Sequence, residues 1–113
     1  MNVFEEQFNE AEDIRREFQI GEDELKDAVI YAAVYRYECY EGSAFVLFEK
    51  DGKLFSVHGS HCSCYGLEGQ WTPEEETWAA ILHWLDKGTM FNEFSQEVRD
   101  HLRCVAVERI KVD

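Results

Sequence analysis

Phe4, Phe8, Ala11, Ile14 or Arg15, and Phe18 recur at helical spacing, with Glu5, Glu6, Glu10, Glu12, Asp13 and Glu17 on the other faces. This pattern predicts an amphipathic helix over residues 3–18, which Gly21 is placed to end. Glu22–Asp27 reads as a short further helical turn. From Ala28 the texture changes to β-branched and aromatic residues, and Val29–Tyr40 reads as a strand. Glu41-Gly42 is then a two-residue turn, Ser43–Lys50 a second strand, Asp51-Gly52 a type I′ turn, and Lys53–His58 a third strand.

Those turns set an expected register. Cys39 pairs with Ala44 and then Gly59, Tyr37 with Val46 and Val57, and Tyr35 with Phe48 and Phe55. That face is apolar and should be core. The opposite face carries Arg36, Leu47 and Ser56 beside Glu38, Phe45 and His58, a mixture that suits partial cover or a contact surface.

Further along, Thr72-Pro73-Glu74-Glu75 has the form of a helix start, with Thr72 as N-cap, Pro73 at the first position and Glu75 closing a capping box. Trp78, Ile81, Leu82 and Leu85 form that helix's buried stripe, and Gly88 lies near its end. Asn92 is placed to cap another helix, with Phe94, Val98, His101 and Leu102 on one face. Cys104–Val112 alternates β-branched residues and is able to join the sheet as an edge strand. The expected fold class is α+β: a three-stranded antiparallel β-meander flanked by helices, in a single domain spanning residues 1–113.

Charge narrows the partners. The net charge is −13, and residues 1–27 hold ten acids against three bases. Such a field repels nucleic acid and anionic membrane and attracts basic surfaces. Trp78 and Trp84 have no basic patch beside them, so direct nucleic-acid binding is not expected. No apolar run reaches the roughly 18 residues of a membrane span, and the acidic start Met1–Glu6 does not read as a signal peptide. A cytoplasmic protein with reduced thiols is expected. Cys39 and Cys104 then read as small buried hydrophobes.

The densest chemistry lies in Gly59–Trp71, preceded by His58. His58, His61, Cys62 and Cys64, joined by Cys39, are of ligand types that hold zinc. Their Cys-x-Cys spacing departs from the usual Cys-x2–4-Cys of zinc modules. A thiol nucleophile with a histidine base is the other chemical use of the loop, but Glu68, Glu74, Glu75 and Glu76 would raise a thiol pKa. Gly59, Gly66 and Gly69 form no phosphate-binding motif. No cofactor is expected, and the two cysteines read as loop packing.

The segment Gly59-Ser60-His61-Cys62-Ser63-Cys64-Tyr65-Gly66-Leu67-Glu68-Gly69-Gln70-Trp71, with its acidic Pro-Glu-Glu sequel, resembles a segment of small uncharacterised proteins of phages and related mobile elements. The likeness runs from about Gly42 to Trp78. It implies a setting of host takeover or defence evasion, in which an acidic surface occupies the basic site of a nucleic-acid-handling host protein. The expected function is therefore a non-enzymatic inhibitor that docks on a basic protein through Glu5, Glu6, Glu10, Glu12, Asp13 and Glu17. The alternative is a small zinc- or thiol-dependent enzyme, or a zinc-stabilised module, centred on His58–Cys64.

Overall fold

Asp51 and Gly52 both take positive φ, 55° and 79°, the backbone of the type I′ turn that Asp-Gly favours. The turn closes on Lys50 opposite Lys53 and sets Phe48 against Phe55, Val46 against Val57 and Ala44 against Gly59. The sequence-derived register of this hairpin is correct. Val46, Phe48 and Val57 are buried, and Phe55 packs beside them with its ring stacked on Phe48 at 5.5 Å.

The computed structural model describes residues 4–6, 8–38, 41–61, 67, 69–87 and 94–112. The hairpin strands, β3 (Glu41–Lys50) and β4 (Lys53–His61), sit inside a five-stranded sheet of order β1-β2-β3-β4-β5. β2 (Val29–Glu38) joins β3 antiparallel. Three-residue strands flank this centre: β1 (Phe4–Glu6), parallel to β2, and β5 (Glu74–Glu76), antiparallel to β4. The fold is α+β, but the three-stranded description is overturned. Among the described residues the meander is the centre of a five-stranded mixed sheet with three α-helices.

The N-terminal segment is a strand and a helix rather than one helix. Phe4 pairs with Ala33 in β1, and α1 runs only from Ala11 to Phe18. A parallel neighbour requires a crossover, and α1 provides it. Asp13 marks where the helix begins, because its carboxylate accepts the backbone N–H of Asn9 at 2.8 Å and of Glu10 at 3.2 Å. α1 ends at Gln19, in the left-handed region at φ 55°, before Gly21 is reached. A 3-10 turn at Glu22–Glu24 follows.

The β2–β3 turn also moves. Glu38 pairs with Glu41 and Tyr37 with Gly42, so Tyr35 lies opposite Ala44 rather than Phe48. The displacement is an even number of positions, so each side chain keeps its expected face. A bulge between Ile30 and Ala32 then turns both Tyr31 and Ala32 toward one core layer.

Both faces of the sheet are covered, which explains why Ala44 through Phe48 are all buried. Phe8, Ile14, Phe18, Leu25 and Leu67 pack on the face of Val46 and Val57. The other face, with Phe45 and Leu47, lies under α2 (Trp78–Lys87) and α3 (Gln96–Val112) through Ile81, Leu85, Val98 and Leu102. The stripe on α2 is as the sequence predicts, but its cap is Thr77, whose Oγ1 accepts the Ala80 N–H at 3.1 Å. The Thr72–Glu75 stretch instead leads into β5. The C-terminal tail is the end of α3, not an edge strand: Val98, Leu102 and Ala106 are buried at every fourth position. Asn92 lies outside the described residues; Ser95 caps this helix, its carbonyl accepting the Arg99 N–H at 3.1 Å. Among the described residues no helix is long and apolar enough to cross a membrane.

Gly59 marks a close approach between layers. A Cβ there would lie 3.0 Å from Leu67 Cδ2 and 3.1 Å from Phe18 Cε1, both on buried side chains. Gly59→Ala is expected to cost about 1–3 kcal/mol through overpacking, read as a lower urea midpoint with unchanged slope. An unchanged midpoint would show that the layers can separate freely at this point.

Candidate interaction surface

The loop singled out by the sequence is braced at its ends. Gln70 reaches back to β4 with its side-chain amide, accepting the Ser60 N–H at 2.8 Å and donating to the Ser60 carbonyl at 2.6 Å. The amide thus occupies a position that a further strand would take beside β4. Trp71 follows, stacked on Phe48 at 5.5 Å and edge-on to Phe18 at 5.1 Å. Its indole N–H donates to Glu24 at 3.0 Å, tying the loop to the 3-10 turn.

Of the expected zinc ligands, Cys39, Cys62 and Cys64 lie outside the described residues. His61 ends β4 opposite Gly42, and Glu38 ends β2 opposite Glu41, so the chain leaves both strands at one end of the sheet. His58 turns its ring to the edge of Phe45 at 4.6 Å. Desolvation on that side holds the imidazole below its usual pKa, against the opposite pull of Glu74 and Glu76. Among the described residues no three His, Cys, Asp or Glu side chains are grouped to hold a metal. Cys104 is exposed on α3, contrary to its expected burial.

The six carboxylates expected to bind a partner do not share one role. Asp13 is buried and serves α1: besides accepting the two backbone N–H groups it pairs with Arg16 at 2.6 Å. The Asn9 N–H, foremost, and Arg16 hold its carboxyl below the ordinary range against the effect of burial. Glu5 accepts the Ser95 N–H at 3.0 Å, joining β1 to the start of α3. Glu6 pairs through its backbone with Tyr35. Glu10 precedes α1, Glu17 lies within it half-buried, and Glu12 is exposed.

Because the folded-state pKa of Asp13 is depressed, its stabilisation is complete above the unfolded value near 4 and is lost as pH falls through the lower folded value. Wild type should therefore lose its advantage over Asp13→Asn on acidification through that window, followed by unfolding at successive pH values. A constant difference down to about pH 2 would remove the carboxylate from this role.

Exposed carboxylates instead form a belt that sequence order hides. Glu12 pairs with Arg15 at 2.5 Å, and Arg15 reaches Glu22 in the 3-10 turn at 3.7 Å. Beside Glu22, Lys50 of the hairpin donates to the Asp23 carbonyl, and Glu24 holds Trp71. Lys53 approaches Glu75 of β5 at 3.7 Å, and Glu74 and Glu75 are exposed. Side chains of Glu22 and Glu75 remain 85% and 61% exposed despite their ion pairs, so they still face solvent and any partner. Sequence reasoning missed Glu22–Glu24 and Glu75 as one surface, because only the contacts of Trp71 and the Lys50–Lys53 hairpin bring them together. Glu74, its neighbour in β5, faces the other side of the sheet with Glu76 and His58.

Beyond β5 the belt borders a cleft of about 420 Å3, lined by Glu49, Lys53, Glu75, Glu76, Trp78 and Ile110 among others. Tyr31 stands behind Trp78 edge-on at 4.9 Å, donating to Glu49 at 3.3 Å and accepting from Arg109 at 2.9 Å. Comparison with known proteins returns no matching family model, curated protein or solved structure.

Proposed function

We propose that this chain is a small acidic, non-enzymatic interaction protein of the cytoplasm that docks on a basic surface of another protein. The belt from Glu12 through Glu22–Glu24 to Glu75 is the contact surface. Its target is a nucleic-acid-handling host or defence protein, whose basic groove the belt occupies in place of nucleic acid. The resemblance of Gly59–Trp71 to phage and mobile-element proteins supplies that setting.

One observation carries the reading: the bases that touch the belt pair with its acids, yet Glu12, Glu22 and Glu75 keep 55%, 85% and 61% of their side chains in solvent. Arg15, Arg16 and Lys53 pair with acids, and Lys50 is held by a backbone carbonyl. Such a surface acts at a distance, and salt shortens its reach from about 8 Å at physiological strength to about 3 Å at 1 M. The test is capture from host lysate on the immobilised full chain at low and high salt. A basic nucleic-acid-binding protein, retained at low salt, released at high salt and displaced by duplex DNA, is the expected result. Capture indifferent to both salt and DNA would contradict the reading.

A further inference from the structure

We propose, resting on the docking function above, that the cleft between β5, the start of α2 and the end of α3 seats an arginine side chain of the protein partner. Its volume, about 420 Å3, lies in the range of small-ligand sites. The walls are apolar and include one aromatic: Leu54, Trp78, Ala79 and Ile110. Ile110 is a large apolar residue left 40% exposed, so part of the wall is uncovered.

The cleft's charge selects a cation. Glu49, Glu75 and Glu76 line it against Lys53 alone, and Lys53 lies 3.7 Å from Glu75. Nearby Arg109 donates to the Tyr31 hydroxyl, which donates to Glu49, so this base stands on the Glu49 side of the cleft and the selection falls to Glu75 and Glu76. Glu76 is fixed by the fully buried Ser56, whose Oγ donates to Oε1 at 3.0 Å. The start of α2 would favour an anion, but Thr77 already takes the Ala80 N–H and the carboxylates stand before it.

Arginine fits better than lysine on two counts. A planar guanidinium stacks on an indole face, and its fork meets a carboxylate through two parallel hydrogen bonds. Trp78 is already braced by Tyr31, so the ring need not be ordered on binding.

The test uses the full chain and three short peptides that differ only at a central arginine, lysine or citrulline. The Trp78 indole N–H is followed by NMR, with Trp84, 39% exposed, as the internal reference. The arginine peptide is expected to shift Trp78 saturably and leave Trp84 unmoved. Lysine and citrulline peptides should bind about tenfold more weakly, and Glu75→Gln with Glu76→Gln should weaken arginine by a similar factor. Ala79→Phe, at an exposed helix position, should block the cleft while circular dichroism stays unchanged. Equal binding of citrulline, equal shifts at Trp84, or binding unaffected by both variants would overturn the proposal. Salt-sensitive partner capture that survives Ala79→Phe undiminished would remove the arginine seat and leave the belt standing. Arginine-specific binding at Trp78 without salt-sensitive capture would keep the seat and remove the belt's function.

Discussion

Neutralising Glu12, Glu22, Asp23, Glu24 and Glu75 together to their amides is expected to slow partner association on the order of a hundredfold. The effect is large because the charges act jointly: each is exposed and individually screened. The folded state should survive, since glutamine at position 24 still accepts the Trp71 N–H that Glu24 accepts now. The variant leaves Asp13 intact, because its carboxylate organises the start of α1 and its loss would confuse folding with binding. Association of wild type should fall steeply with salt, and that of the variant should be nearly flat. Equal salt slopes would show that the belt does not guide the encounter.

Phe18→Ala should be the most damaging single change to stability. Phe18 is 1% exposed, meets Trp71 edge-on and lies against the Gly59 backbone. It therefore joins α1, the sheet and the loop end in one contact set. Truncating a buried phenylalanine costs about 3–5 kcal/mol, a large share of the roughly 5–15 kcal/mol that holds a domain. A urea titration should show the midpoint falling accordingly, with Phe18→Leu recovering much of it. A loss below about 1 kcal/mol would mean that the α1 layer is not part of the cooperative core.

What could be read from the sequence was local. Asp51-Gly52 dictates its own turn, so the register of β3 and β4 followed outward from that one dipeptide as far as Ala44 opposite Gly59. The α2 stripe was equally legible, since Ile81 and Leu85 are one helical turn apart. β1 was not, because Phe4 and Phe8 four apart satisfy a helix as well as a strand, and only pairing with Ala33 decides. Thr72-Pro73-Glu74-Glu75 carries a sound helix-start signal that pairing of Glu74–Glu76 with Leu54–Ser56 overrides. In the tail, the alternation of Val105 and Val107 pointed to a strand. Burial of Leu102 and Ala106 against the core favours a helix, and tertiary context outweighs β-propensity there. The belt was illegible for the same reason: Glu24 and Trp71 stand 47 positions apart in the chain.

The central claim is that charge on the belt, rather than chemistry in the cysteine loop, does the work. Its most direct test compares wild type, the belt amide variant and Cys62→Ser/Cys64→Ser for capture of one basic partner at physiological salt. The account predicts that capture is lost with the belt and kept by the cysteine variant, with all three folded by circular dichroism. Capture kept after belt neutralisation and lost with the cysteines would contradict it and transfer the function to the His58–Cys64 loop.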